Sequence, residues 1–427
     1  MMLRGSSRPG WWAVALVVIA PALTGCDAEA DEQDHLPDLA TLPEFHLAPT
    51  PTAVIGDSDQ PGHQLADVVG AHRTSDGRVI VADAGRTELL EYDGSGVFLG
   101  MIARGGEGPG ELARPRATAM AAGDTLVVWD GRRVTRFSGE GAYLSAVPRG
   151  DLPPAEVRGA GMPGSWARIV PLTDGSLVAV DPAFPSFIAS RGPDGVRRDT
   201  LSLPILGPDG SLAGAIEDLP GPETLVTAGV SLSPFPMGRR LLVAPGPGKV
   251  YVGTGVDPEI LVFSNRGEPL GRIELPFRAR PVPDEVWDDV ESRLASMRLE
   301  GLERPGSLPP FVDLVVDRLG RIWLAEYRAE PSEPRRWIVL GPEGEPRARV
   351  VAEGEGGRLL EAGADYVILL ERDDLDVPRV VVVEARAEAR ATDPPPTDLE
   401  DGNARGRRAA PLHLSLATEM SAFVQVR

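Results

Sequence analysis

The sequence predicts an all-β fold: a six-bladed β-propeller with four antiparallel strands in each blade, the last blade closed by a strand from the N-terminal side. Three observations lead there. Glycine marks a tight turn at Gly77, Gly123, Gly175, Gly248, Gly320 and Gly363, at intervals of 46, 52, 73, 72 and 43 residues. Each is followed by a run of apolar, mostly β-favouring residues: RVIVAD, TLVVWD, SLVAVD, KVYVGT, RIWLAE and DYVILLE. A third run follows in every unit (ELLEYD, RVTRFS, SFIASR, EILVFS, RWIVLG, RVVVVEA), and in the first five units Gly96, Gly141, Gly195, Gly267 or Gly344 then precedes a fourth. A unit of this kind cannot bury both of its faces alone, so it packs on its neighbours around an axis.

Composition agrees. Gly 49 and Pro 42 suit many short strands joined by turns, and a 42% hydrophobic content in 427 residues can bury a sizeable core. The net charge is -20 and the arginines are dispersed among more numerous acids, which argues against a nucleic-acid face. A soluble, self-repelling surface accounts for the acidity.

Residues 1–25 have the layout of a secretory signal. Arg4 and Arg8 form a positive start, and Trp11–Ala22 is an apolar run too short for a comfortable membrane span. The run closes on Leu23-Thr24-Gly25-Cys26, which resembles the bacterial lipobox. That resemblance implies cleavage before Cys26, lipidation of its thiol and a bacterial cell-envelope location, on the periplasmic side of the inner membrane or on the outer membrane. Cys26 is the only cysteine, so internal disulfides and CxxC metal sites are excluded. Loss of Arg4 and Arg8 takes the net charge from -20 to -22.

Residues 26–51 are acidic and proline-punctuated, and are expected to form a flexible tether. The propeller is expected over 52–387, with the Thr52–Ile55 run as the fourth strand of the last unit, which shows only three of its own. Two long intervals carry insertions. Leu203–Arg240, rich in Pro and Gly, reads as a surface loop. Pro283–Leu299 reads as an amphipathic helix packed over a blade edge, with Val286, Val290, Leu294 and Met297 at helical spacing. Residues 388–427 read as a disordered tail, with Ala422–Val426 (AFVQV) as a candidate stray strand.

The first unit resembles bacterial six-bladed propeller lipoproteins related to NHL-repeat proteins. The residues that carry the likeness are SDGRVIVAD, Tyr92-Asp93 and the loop Arg104-Gly105-Gly106-Glu107-Gly108-Pro109-Gly110-Glu111-Leu112. The Thr52–Gly56 run and LPPFVDLVVDRLGRIWLAEY also fit. The likeness spans roughly residues 50–387 and implies the fold and the envelope location, with no substrate.

The acids closing the second strands are the candidate constellation: Asp83, Asp130, Asp181, Glu326 and Glu371, with Thr254 in the fourth unit. Equivalent positions fall on one ring, and carboxylates converging on a channel could hold Ca or Zn, as in lactonase-type propellers. Recurrence in every unit favours a structural role, in which each carboxylate ties down backbone amides of the next turn. There is no G-x-S-x-G, and of the histidines only His72 falls in a blade. The reading is a binding or scaffold module without catalytic residues or cofactor, anchored to a membrane through Cys26. Its partner would be an envelope protein, peptide or glycan. The alternative is a metal-dependent hydrolase or lyase.

Overall fold

The structure, a computed structural model, describes residues 39–56, 64–149, 165–183, 195–227, 230–232, 235, 237–296, 303–330, 333–352, 357–373 and 375–387. By its contacts the chain divides into Met1–Leu36 and Pro37–Arg427, and the described residues belong to the second unit. The signal segment, Cys26, the run Ser186–Arg191, Met297 and the tail from residue 388 lie outside them.

Two short strands come first: β1 (Glu44–Leu47) and β2 (Ala53–Ile55). The first sheet is β3 (Val68–Arg73), β4 (Val79–Asp83), β5 (Glu88–Tyr92) and β6 (Phe98–Ala103). The second is β7 (Ala117–Ala121), β8 (Thr125–Trp129), β9 (Arg133–Phe137) and β10 (Tyr143–Pro148). The third has five strands: β11 (Ser165–Pro171), β12 (Leu177–Ala183), β13 (Gly195–Leu206), β14 (Leu212–Thr227) and β15 (Val230–Leu232). The fourth is β16 (Leu242–Gly246), β17 (Lys249–Gly253), β18 (Glu259–Ser264) and β19 (Pro269–Glu274). Helix α1 (Asp284–Ser296) follows. Then come β20 (Asp313–Val316), β21 (Ile322–Ala325), β22 (Arg335–Leu340) and β23 (Pro346–Ala352). The last strands are β24 (Arg358–Ala362), β25 (Tyr366–Arg372) and β26 (Pro378–Ala387).

Within each of the first four sheets the strands run antiparallel in chain order. β1 joins the last two groups into a nine-stranded sheet, pairing parallel with β23 and antiparallel with β26. β2 lies on β26 as well, with Ala53 opposite Val382 and Ile55 opposite Val380. The first strands touch in sequence: β3 meets β7, then β11, β16, β20 and β24, which returns to β3. Four-stranded antiparallel sheets around such a ring make a β-propeller.

Core packing explains why the second strands are apolar throughout rather than alternating. Val79 and Val81 of β4 pack on Ile368, Val380 and Val382 of the last strands, whereas Ile80 and Ala82 pack on Met120, Leu126 and Val128 of the second sheet. Both faces of β4 are therefore buried, as a strand between two neighbours must be. The turn glycines fit too: Gly77, Gly123, Gly175, Gly248 and Gly320 have φ of 92°, 68°, 87°, 67° and 78°, the left-handed region that suits glycine. Gly363 is different. Its φ is not positive, but a Cβ there would lie 1.9 Å from the Tyr366 ring.

Four expectations need correction. Glu44–Leu47, assigned to the tether, form β1 because Phe45 and Leu47 bury against Trp323 and Val350. Leu203–Arg240, assigned to a surface loop, is mostly strand. Gly207–Ser211 is a hairpin turn, closed by the Gly207 amide on the Ser211 carbonyl (2.7 Å), and it joins β13 to β14 with Leu203, Ile205, Ile216 and Leu219 buried. Among the described residues the third strand of this sheet is accordingly β13, and Gly195 opens it rather than preceding a fourth. In α1 the buried face is Trp287, Val290 and Leu294, packed on Leu225, Phe235 and Leu308, with Val286 only partly buried.

Candidate functional site

Two rims of the ring carry chemistry-bearing residues. On the rim where second strands end, Asp83 is fully buried and accepts hydrogen bonds from the amides of Ala66 (2.8 Å), Asp67 (3.0 Å), Gly85 (2.9 Å) and Arg86 (3.1 Å). Asp130 does the same in the next sheet, with the amides of Ala113 (3.0 Å), Arg132 (2.9 Å) and Arg133 (2.9 Å). Each carboxylate ties the turn after its strand to the segment entering the first strand of the same sheet. In the fourth sheet the Thr254 hydroxyl makes a weaker version, accepting from the Val256 amide at 3.4 Å. Asp181 stands in β12 opposite Arg168. Glu326 follows β21, and Glu371 pairs with Arg379 across β25 and β26 at 3.4 Å. Among the described residues no group of three His, Cys, Asp or Glu is placed to hold a metal ion.

The GEGPGEL loop lies at this rim and is satisfied internally. Leu112 is fully buried and its amide and carbonyl bond to Arg104 and Gly106 (both 2.9 Å). The Glu111 carboxylate folds back on the Gly108 amide (2.9 Å) into the space a Gly106 side chain would fill, 2.0 Å from the Cβ position.

At the opposite rim the first strands end and enclose a cavity of about 570 Å³. Its walls are mainly apolar residues of β7, β16, β20 and β24; His72, Thr118, Asp174, Asp317, Arg318 and Glu361 are among its polar groups. The acids closing the second strands are not in this lining.

His72, Thr118, Arg318 and Glu361 form one network across several sheets. His72 on β3 bonds through Nδ1 to Glu361 Oε2 on β24 (2.7 Å) and through Nε2 to Thr118 Oγ1 on β7 (2.9 Å). The other Glu361 oxygen accepts from the Arg73 amide (3.1 Å) and the Tyr366 hydroxyl (2.7 Å), with Arg318 at 3.5 Å. Arg318, from the turn after β20, also reaches Asp124 Oδ1 in the turn after β7 (3.0 Å) and the Arg73 carbonyl. The guanidinium of Arg73 lies 4.7 Å over the Tyr366 ring. Beneath the mouth, buried Asp317 pairs with Arg321 and accepts from Trp323 Nε1 at 3.2 Å.

Burial works to raise the pKa of Glu361, but the hydrogen bond with His72, together with Arg318 and Tyr366, outweighs it and holds the carboxyl below its ordinary range. Burial likewise opposes ionisation of Asp124, and the hydrogen bonds from Ser75 together with Arg318 overcome it. Burial and then the Glu361 charge push Tyr366 well up, so it stays a donor.

Sequence reading marked His72 as the one blade histidine but missed Glu361, Thr118 and Arg318. A signal for Glu361 existed: RLLEA puts a carboxylate inside an apolar first strand, where an unpaired charge is not tolerated.

No family model and no curated protein matches the chain. Among solved structures it is similar to a member of the DUF4221 family from Bacteroides vulgatus, at 9% identity, covering 81% of this chain and 100% of that one, with a TM-score of 0.46. A gluconolactonase from Xanthomonas campestris aligns at 16% identity over 75% of this chain and 87% of its own (TM-score 0.35). Regucalcin, a calcium-binding protein from Agrobacterium tumefaciens, aligns at 12% over 81% and 98% (TM-score 0.37). At these scores the likenesses carry no argument about activity.

Proposed function

We propose that the chain is a lipid-anchored envelope propeller of six blades, of the NHL-repeat-like type, that binds part of a peptide, protein or glycan at the channel mouth where its first strands end. The blade count takes the nine-stranded sheet as two blades joined by β1, in keeping with the six first strands that touch around the ring. The observation that carries the binding reading is the cavity of about 570 Å³, walled by apolar strand residues and holding one convergent polar network. Binding pockets have this size and this mix. Sequence alone supports the anchor at Cys26 and the envelope location.

Binding is tested by thermal-shift screening against peptides and glycans, repeated with Asp174→Arg, which places a cation at an exposed position of the mouth. Ligands of the channel should bind at least tenfold more weakly to the variant; equal affinity would move the site elsewhere. The anchor is tested with Cys26→Ser, which should shift the protein from the detergent phase to the aqueous phase in a phase-separation assay. Metal analysis addresses the hydrolase alternative. Stoichiometric Ca or Zn that is lost in Asp130→Ala with the fold intact would overturn the metal-free reading.

A further inference from the structure

The spacing of Thr118, His72 and Glu361 goes beyond what a binding site needs. A carboxylate on Nδ1 of an imidazole fixes the tautomer that leaves Nε2 free to accept, and here Nε2 faces a hydroxyl at 2.9 Å. This is the order of a hydroxyl nucleophile, its base and the group that orients the base. The three come from three strands, β7, β3 and β24, and all three residues line the cavity. Their neighbours hold the arrangement in place. The Glu361 carboxylate is also engaged by the Arg73 amide, the Tyr366 hydroxyl and Arg318. The Thr118 hydroxyl sits over Gly70, where any Cβ would come within 1.9 Å of Oγ1. Glycine at position 70 therefore makes room for the hydroxyl.

We propose that Thr118 is the nucleophile and His72 the general base of an acyl-transfer site, with Glu361 as the residue positioning His72. The proposal rests on the cavity being the ligand site. In the first step Thr118 Oγ attacks the carbonyl carbon of an ester and its proton passes to His72 Nε2. The bond from that carbon to the alcohol oxygen breaks, and the leaving alcohol takes the proton from His72. The acyl group is then an ester on Thr118. Water, losing its proton to His72, attacks the same carbon and releases the acid, and His72 returns the proton to Thr118 Oγ. Glu361 stays ionised throughout. The mouth also suggests the substrate. Asp124, Asp174, Asp317 and Glu361 outnumber Arg318 among the lining charges, so an anionic ester is disfavoured. Apolar walls suit a small apolar acyl group. Esters of neutral or cationic alcohols fit both.

Acid–base assistance by one positioned histidine contributes about 10²–10⁴-fold, so the adduct itself is the sensitive readout. The full chain, in detergent, is treated with an alkyl fluorophosphonate, and the modified residue is mapped by mass spectrometry. Label on Thr118 is expected, absent in Thr118→Val and retained in Thr118→Ser. His72→Gln should slow labelling at least 100-fold, with thermal melting confirming that each variant is folded. If Thr118→Val does not fold, Thr118→Ala replaces it. For Glu361→Gln the expected result is slower labelling with an altered pH profile, which a purely structural residue would not produce. Hydrolysis of p-nitrophenyl butyrate should follow the same order. A folded wild type that takes no label at Thr118, or equal hydrolysis by Thr118→Val, would overturn the relay. If cavity ligands sensitive to Asp174→Arg still bind, that failure leaves the binding reading standing; loss of both would overturn both.

Discussion

Asp83 shows how a residue that looks catalytic in a sequence can be spent on the backbone. Its carboxylate takes part-buried hydrogen bonds from four amides, reaching from Ala66 to Arg86. A carboxylate with so many donors leaves little capacity for a ligand. Asp83→Ala should therefore cost about 2–3 kcal/mol, since four amides lose one charged acceptor and the buried site of the carboxylate is emptied; a denaturant melt measures it. Glu361 was the harder residue to read. One carboxylate in RLLEA looks like noise until β3, β20 and β25 bring His72, Arg318 and Tyr366 to it. Its folded pKa lies below its ordinary 4.5, so it stabilises the fold above that value and the contribution is lost as pH falls through the folded pKa. Tyr366 has the opposite sign: raised above its ordinary 10.0, it stabilises below that value, and the contribution is lost as pH rises beyond it. The protein should melt highest between these limits, and Glu361→Gln should remove part of the acid-side dependence in melts taken from pH 3 to 7.

At the scale of elements, the turns were legible and the partners of strands were not. Gly123 and Gly363 occupy equivalent turns for unlike reasons. Gly123 has φ 68° with open space around its Cβ position, so Gly123→Ala should cost only the backbone penalty, about 1–2 kcal/mol. Gly363→Ala would drive a methyl into the Tyr366 ring, whose hydroxyl is tied to Glu361, and should cost more while disturbing the mouth. Comparing the two melting temperatures tests this ranking. β1 escaped notice because EFHL is four residues long and sits among prolines. Its alternation is real, with Phe45 2% and Leu47 7% exposed. Phe45→Ala should cost about 3–5 kcal/mol, as for other buried phenylalanines, and a urea melt would show it. The β13–β14 hairpin reads as a loop because of its Pro and Gly content, although Leu201, Leu203 and Ile205 alternate as buried residues along β13.

For the whole molecule, closure of the ring is the decisive event. β1 and β2, from the start of the described chain, pair with β26 at its end, and β1 also covers the edge of β23. An edge left open would expose unpaired amides and carbonyls. Removing residues 39–56 should therefore lower the melting temperature and produce aggregation of the ring, visible by light scattering, rather than trim a loose end. The repeat itself was determined locally. A turn glycine followed by an apolar run gives a strand buried on both faces whatever its neighbours are, so the all-β class and the positions of most strands could be read along the chain. The Thr118–His72–Glu361 contact spans nearly 290 positions between His72 and Glu361. No spacing rule relates such residues, because they meet only when the last sheet comes round to the first. Asp83 and Asp130 repeat at one rim because each serves its own sheet. The network at the other rim occurs once because it belongs to the closed ring.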